Sequence, residues 1–223
     1  MTLIIRSTVA VAIFAFFALS AYAQNQSSQV FITWKASNFY PAHFEGKALP
    51  TFGSPVTVAV EISRGGAFLD LSQADITWEL DGKFLAGGRN TKEAHFTTTK
   101  GDGDTHFIRV TIVRGEESFE SSLRIPVRAP SISIDAPYPE GRGSGGSITI
   151  SALPFFFNVS ALSEISFSWL VDGERLAAGN DHVLTISDES LTSARAFQVL
   201  LEAQNTRNSS ESASRRATLA LTP

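Results

Sequence analysis

Two stretches of the chain place side chains where chemistry is possible. GDGDTH (Gly101 to His106) sets Asp102 and Asp104 in a glycine-rich loop, as the start of a calcium site would. Calcium takes roughly six to eight oxygens, whereas this loop offers two carboxylates plus carbonyls and no glutamate at EF-hand spacing. A plain turn is the better reading. GRGSGG (Gly141 to Gly146) formally matches a dinucleotide-binding fingerprint. That cradle needs a helix N-terminus, and the SITIS that follows has the composition of a strand, so a flexible loop is expected. Ser144 is no nucleophile elbow either, because Arg142 stands where that motif requires glycine. His43, His95, His106 and His182 are scattered, with no pair at metal-binding spacing, and read as surface or half-buried structural histidines. No pair of carboxylates is singled out for glycoside hydrolysis, although such a pair is defined in space and not along the chain. With no cysteine at all, disulfides, thiolate metal sites and cysteine nucleophiles are excluded. The expectation is a non-enzymatic protein with no catalytic residue, no metal and no cofactor.

Aromatic residues are the remaining candidates for contact. NFYPAHFEG gathers Phe39, Tyr40, His43 and Phe44 without the alternation of a strand. Such a loop either folds down over one end of its domain or forms an exposed apolar contact patch. In LPFFFNV, Phe155, Phe156 and Phe157 put rings on both faces of an expected strand. One face should meet the core; the other, with Phe156, should be covered by the neighbouring domain or by a partner. Trp78 and Trp169 are in phase with apolar neighbours and read as core, while Trp34 is open to either reading.

Composition narrows the class of partner. The 223 residues are 43% hydrophobic and 18% charged, which suits a folded chain, and the formal net charge of -4 gives no footprint for nucleic acid or an anionic membrane surface. Residues 1–23 carry one positive charge, Arg6, then an apolar run ending in Ala21-Tyr22-Ala23, the small-x-small step of a signal peptidase site. A cleaved signal peptide with Gln24 as mature N-terminus is expected; the alternative is an uncleaved anchor, the one route to a membrane. Either way the chain is exported to the extracellular space, cell surface or periplasm. The absence of cysteine in an exported chain suggests a bacterial source.

Strands must position everything else. Ile76, Trp78 and Leu80 alternate with polar residues, as do Ile165, Phe167, Trp169 and Val171, the period of a strand with one buried face. Asp81-Gly82 and Asp172-Gly173 follow directly, the dipeptide of a tight hairpin, and are expected to serve the backbone and not to supply a carboxylate. The two tryptophans lie 91 residues apart, about the length of one small β-sandwich. The expected fold is all-β: two tandem immunoglobulin-like β-sandwiches, over 24–128 and 129–223, after the signal peptide. Pro126, Pro130, Pro137 and Pro139 stiffen the joint, so a semi-rigid rod is expected.

Thr77–Gly88 (TWELDGKFLAGG), Ser168–Gly179 (SWLVDGERLAAG) and VLTISDES (Val183 to Ser190) resemble the immunoglobulin-like and PKD-like domains of bacterial exported proteins. The longer pattern of FYPAHFEGKALPTFGSPVTV, APYPE and ALPFFFNV is similar to two-domain exported proteins of small-genome uncultured bacteria. The resemblance implies fold and location, and no particular activity. It departs from immunoglobulin domains proper in lacking the disulfide and the tyrosine that accompanies it. The functional expectation is a structural or adhesive cell-surface module that presents loops and sheet edges to another envelope or extracellular protein. A carbohydrate-binding module is the alternative, and it requires a row of exposed rings on one sheet face or loop end.

Overall fold

A computed structural model describes residues 27–136, 142–144, 147–187 and 196–222; residues 1–23, expected to be a signal peptide, lie outside them. The first sandwich contains β1 (Ser28–Ala36), β2 (Pro55–Arg64), β3 (Ala67–Phe68), β4 (Asp75–Leu80), β5 (Lys83–Arg89), β6 (Glu93–Thr97), β7 (Thr105–Arg114) and β8 (Glu117–Pro126). Strand β2 pairs with β1 on one side and with β6 and β3 on the other, and this sheet faces a second one ordered β5-β4-β7-β8. The second sandwich contains β9 (Ser131–Asp135), β10 (Arg142–Ser144), β11 (Ser147–Phe155), β12 (Ile165–Val171), β13 (Glu174–Gly179), β14 (Val183–Ser187), β15 (Ala196–Asn205) and β16 (Asn208–Thr222). Its sheets run β14-β11-β9 and β10-β16-β15-β12-β13. With the short β3 of the first copy and β10 of the second set aside, both copies place three matching strands opposite four, the arrangement of an immunoglobulin-like sandwich.

Period-two patterning sets which face is dry. Val56, Val58, Val60 and Ile62 of β2 pack against Ile76, Trp78, Ile108, Val110 and Ile112 from the facing sheet. A separate core holds Ile148, Ile150, Phe157, Phe167, Trp169, Val199 and Leu201. Each buried indole solves its polar problem in the same way. Trp78 Nε1 donates to Thr91 O at 2.8 Å, and Trp169 Nε1 donates to Asp181 O at 3.0 Å. A register shift follows each tryptophan, between Trp78 and Glu79 and between Trp169 and Leu170.

The Asp-Gly hairpins repeat to the same detail. Asp81 and Gly82 have φ of 52° and 77°, and Asp172 and Gly173 have 46° and 89°, so both central positions are left-handed, as a two-residue turn that follows strand twist requires. The expectation that these pairs serve only the backbone is corrected here. Asp81 N donates to Phe107 O while its carboxylate accepts from Phe107 N; Asp172 does the same with Gln198. Each aspartate thus staples its turn to the adjacent strand.

The copies differ most where their first two strands are joined. In the second, β10 crosses over and pairs in parallel with β16, Arg142 opposite Ala220. The flexible loop expected at GRGSGG is therefore, over residues 142–144, a strand. In the first copy β1 stays with β2 along its whole length, and the 18 residues between the two strands go elsewhere.

Candidate functional site

Residues 37–54 bridge the two sandwiches: Thr51, Gly53 and Ser54 stay bonded to Thr98 of the first, while Phe39 and Phe44 dock on the second. Phe39 forms an antiparallel bridge with Phe157: Phe39 N donates to Phe157 O at 2.7 Å, and Phe156 N donates to Phe39 O at 2.6 Å. Strand β11 has ended at Phe155, and Phe156 takes a φ of 66°, a conformation rare for a bulky residue. The expected strand through all three phenylalanines is thus broken at its middle ring. Phe157 turns into the second core, while Phe155 and Phe156 meet Phe44 edge-on, with centroids 5.4 and 5.8 Å away. Tyr40 packs against the other side of Phe44 at 5.9 Å.

A polar network lies beside this aromatic one. Thr51, Ser54 and Thr98 are buried, and an unpaired buried hydroxyl costs about 1–3 kcal/mol, so each must find a partner. Thr51 N donates to Ser54 Oγ, Ser54 N donates to Thr98 Oγ1, and Thr98 Oγ1 donates to the Thr51 carbonyl. Asn158 of the second sandwich closes the set. Its Nδ2 donates to Thr51 Oγ1 and Phe52 O, both at 2.9 Å, and its Oδ1 accepts from Ser54 Oγ at 2.6 Å. Glu211, itself buried, anchors Asn158 from behind by accepting from its main-chain N at 2.6 Å and from Asn205 Nδ2 at 2.7 Å.

The locked joint leaves a cleft of about 620 Å³ between the sandwiches. Lys35, Ser37, Asn38 and Tyr40 line it from the first, and Ser160, Glu164 and Arg207 from the second. Glu164 accepts from Ser160 N at 2.7 Å, Ser160 Oγ at 3.0 Å and Ala161 N at 3.3 Å, and is paired with Arg207. The Ser160 hydrogen bonds, helped by Arg207, hold its carboxyl below the usual glutamate range. Asn38 is 8% exposed; its Nδ2 donates to Leu49 O at 2.6 Å and Phe156 O at 3.3 Å, and its Oδ1 has no partner among the described residues. A concavity of similar size, about 630 Å³, lies on the outer face of β12, β15 and β16. It is a dip over short side chains such as Ser168, Ala178 and Ser214, formed by one sheet alone, with no exposed ring.

The structure brings together four of the five contact candidates. Phe39, Tyr40, Phe44 and Phe156 meet at the joint, whereas His43 is exposed on the outside of the loop. Tyr40 is 39% exposed and so is both joint and surface. Trp34 is half-buried beneath Lys47, whose Nζ sits 3.9 Å from the ring centroid, and burial lowers the Lys47 pKa. Among the described residues the exposed rings do not share one sheet face or loop end: Phe31 and Phe68 sit on one sheet of the first sandwich, Phe84 and Phe107 on the other, and Phe52 and Tyr40 in the loop before β2.

His106 is neither on the surface nor half-buried, as expected, but fully buried. Its Nδ1 lies 2.7 Å from Asp81 Oδ2, its ring meets Phe96 edge-on, and its Nε2 has no partner among the described residues. Asp81 also accepts from Lys100 Nζ at 2.8 Å. Burial pushes the Asp81 carboxyl up, but the hydrogen bonds from Lys100, Phe107 N and His106 outweigh it and hold the group below the usual aspartate range. Asp102 accepts from Ala129 N and Asp104 from Gly101 N, so both carboxylates cap backbone amides in an exposed turn. Among the described residues no three carboxylates or imidazoles cluster as metal ligands.

Sequence reasoning missed Asn38, Asn158, Lys35, Glu164 and Arg207. A signal existed for one: Asn158 interrupts an apolar run, FFFNV, where a half-buried polar residue needs a partner.

No protein-family model and no curated protein sequence matches the chain. Among solved structures it is similar to the three N-terminal domains of the bacteriophage RB49 highly immunogenic outer capsid protein (Hoc), at 14% identity, over 87% of this chain and 59% of that one, with a TM-score of 0.45. It is also similar to the Clostridium thermocellum CbhA fibronectin(III)-like modules, at 10% identity over 87% and 94%, TM-score 0.32. A third is chicken CNTN1 FN1–FN3, at 15% identity over 79% and 64%, TM-score 0.33. The fold assignment rests on the strand order above.

Proposed function

We propose that this chain is a non-enzymatic, exported scaffold of a bacterial cell surface or envelope, whose two sandwiches work as one stiff unit that holds contact surfaces for another envelope or extracellular protein. The observation that supports it is the joint. Two backbone hydrogen bonds, an aromatic cluster and the three side-chain bonds of Asn158 tie domains that a flexible module would leave to a linker alone. The prominent carboxylates favour structure over catalysis: Asp81, Asp102, Glu164 and Glu211 all hold backbone or side-chain donors. The leader-like residues 1–23 support export.

The test uses the absence of native cysteine. Ser118→Cys on β8 and Glu174→Cys on β13, both exposed, carry spin labels for pulsed distance measurement. A single narrow distance distribution is expected. A broad or multimodal one would refute the scaffold.

A further inference from the structure

We infer that the cleft between the sandwiches is a binding site for an acidic saccharide, a polyhydroxylated chain bearing carboxylates. The inference deepens the scaffold reading, since the locked joint is what keeps the two walls of the cleft in place. Its volume, about 620 Å³, falls within the roughly 300–1,000 Å³ of small-ligand sites.

Three features define the ligand. The first is Asn38. Both Nδ2 contacts are carbonyl oxygens, which fixes the orientation of the amide and leaves Oδ1 as a buried acceptor without a donor. The atom itself is closed to solvent, so a ligand relieves it only by drawing the amide toward the cleft and bringing an O–H or N–H, which a bare inorganic anion lacks. The second is charge. Glu164 is saturated by Ser160, Ala161 and Arg207, so it repels little, while the Arg207 side chain is 77% exposed and keeps further N–H donors free. Lys35 is exposed and has no ion pair among the described residues. Two cations with outward donors and no free carboxylate make the cleft selective for an anion. The third is Tyr40, a cleft-lining ring that packs at a tilt against Phe44 and stays 39% exposed, which offers apolar ring surface to the C–H face of a pyranose. Ser37 adds a hydroxyl that both donates and accepts. Hydroxyl donors, an apolar ring face and carboxylates occur together in an acidic sugar. An acidic peptide shares the charge, but of the apolar residues that line the cleft Ala36 and Val159 are buried and Phe39 is half-buried, which leaves only Pro55 exposed beside Tyr40 and forms no side-chain pocket.

The test titrates the full chain, at low salt, with a linear galacturonic acid tetramer, its fully methyl-esterified form and a tetraglutamate peptide, and follows backbone amides by NMR. The acidic tetramer is expected to move the amides of Ser37, Tyr40 and Ser160, and the neutral ester to bind at least about tenfold more weakly. Tyr40→Ala should weaken binding about tenfold, and Lys35→Gln or Arg207→Gln about three- to tenfold each. Arg89→Gln, at the end of β5 where Asp75 and Val113 pair, away from the joint, should leave it unchanged. Equal binding of the ester, tighter binding of tetraglutamate, or shifts confined to other surfaces would overturn the inference. The same sample tested with the spin-label pair separates two failures. A narrow distance with no binding overturns the saccharide site alone, and a broad distance overturns the scaffold beneath it.

Discussion

Replacing Asn158 with alanine tests whether the joint is held by side chains or merely by proximity. The substitution removes three hydrogen bonds across the joint, to Thr51 Oγ1, Phe52 O and Ser54 Oγ, and leaves the main-chain bond to Glu211 intact. A typical intramolecular hydrogen bond contributes about 0.5–1.5 kcal/mol net. The partners are not orphaned: Ser54 Oγ keeps Thr51, and Phe52 is 67% exposed, so its carbonyl turns to water. The loss therefore sits near the sum of the net terms, about 2 kcal/mol, with no added penalty for buried unpaired groups. That is about a thirtyfold change in an opening equilibrium. Native-state hydrogen exchange reads it directly, because the amides of Phe39 and Phe156 donate across the joint. In Asn158→Ala their protection should fall about thirtyfold, while amides of Trp78 and Trp169, deep in the two cores, stay unchanged. Unchanged protection at Phe39 and Phe156 would refute the role of the network. An equal fall at the tryptophans would place Asn158 in the stability of the second sandwich and not in the joint.

Three further outcomes follow from individual side chains. Phe156→Gly should be more stable than Phe156→Ala by about 1 kcal/mol in chemical denaturation, because both lose the ring contact with Phe44 but only glycine accepts the φ of 66° without strain. Asp81→Asn should destabilise by about 1–2 kcal/mol at neutral pH. Since the folded-state pKa of Asp81 is depressed, its contribution is full above the unfolded value near 3.9, declines as pH falls through it and is gone below the folded value; urea melts of both proteins from pH 7 to pH 2.5 should therefore converge. Trp78→Ala and Trp169→Ala should each cost about 3–5 kcal/mol, measured by thermal or urea unfolding, as both side chains are fully buried and bonded through Nε1. A cost under about 1 kcal/mol at either would remove that tryptophan from its core.

What could be foreseen was what local sequence encodes. Alternation around Trp78 and Trp169 and the Asp-Gly turns carry their own signal, and the 91-residue repeat confirmed them against each other. What could not was pairing at a distance. GRGSGG has the composition of a loop, and only β16, more than 70 residues on, makes part of it a strand. His106 is in phase with Ile108, Val110 and Ile112, so alternation along β7 already pointed it inward; what the local stretch does not show is its partner, Asp81, which the β4–β5 hairpin carries to its Nδ1. The loop Phe39–Phe44 and the run Phe155–Phe157 were each suspect for excess aromatics, but nothing within either stretch says that the other covers it. Asn38, with partners at Leu49 and Phe156, was invisible for the same reason.

The same contrast separates fold from function in this chain. Trp78 and Trp169, Asp81 and Asp172, and the staples from Phe107 and Gln198 recur at one spacing and do one job, which is to build a sandwich. A duplicated domain needs those residues twice. The joint and the cleft draw on residues that do not recur: the 18 residues between β1 and β2 have no counterpart between β9 and β11, where a crossing strand stands instead. Asn38 takes an acceptor out of solvent and leaves it unpaired, and Phe156 holds a strained backbone, both costs that a fold built from two independent sandwiches would not incur. These departures converge on one place: substitutions in the repeated positions should lower stability in either copy alike, whereas substitutions at Asn38, Tyr40 and Asn158 should alter how the copies are held and, on the inference above, what the cleft between them accepts.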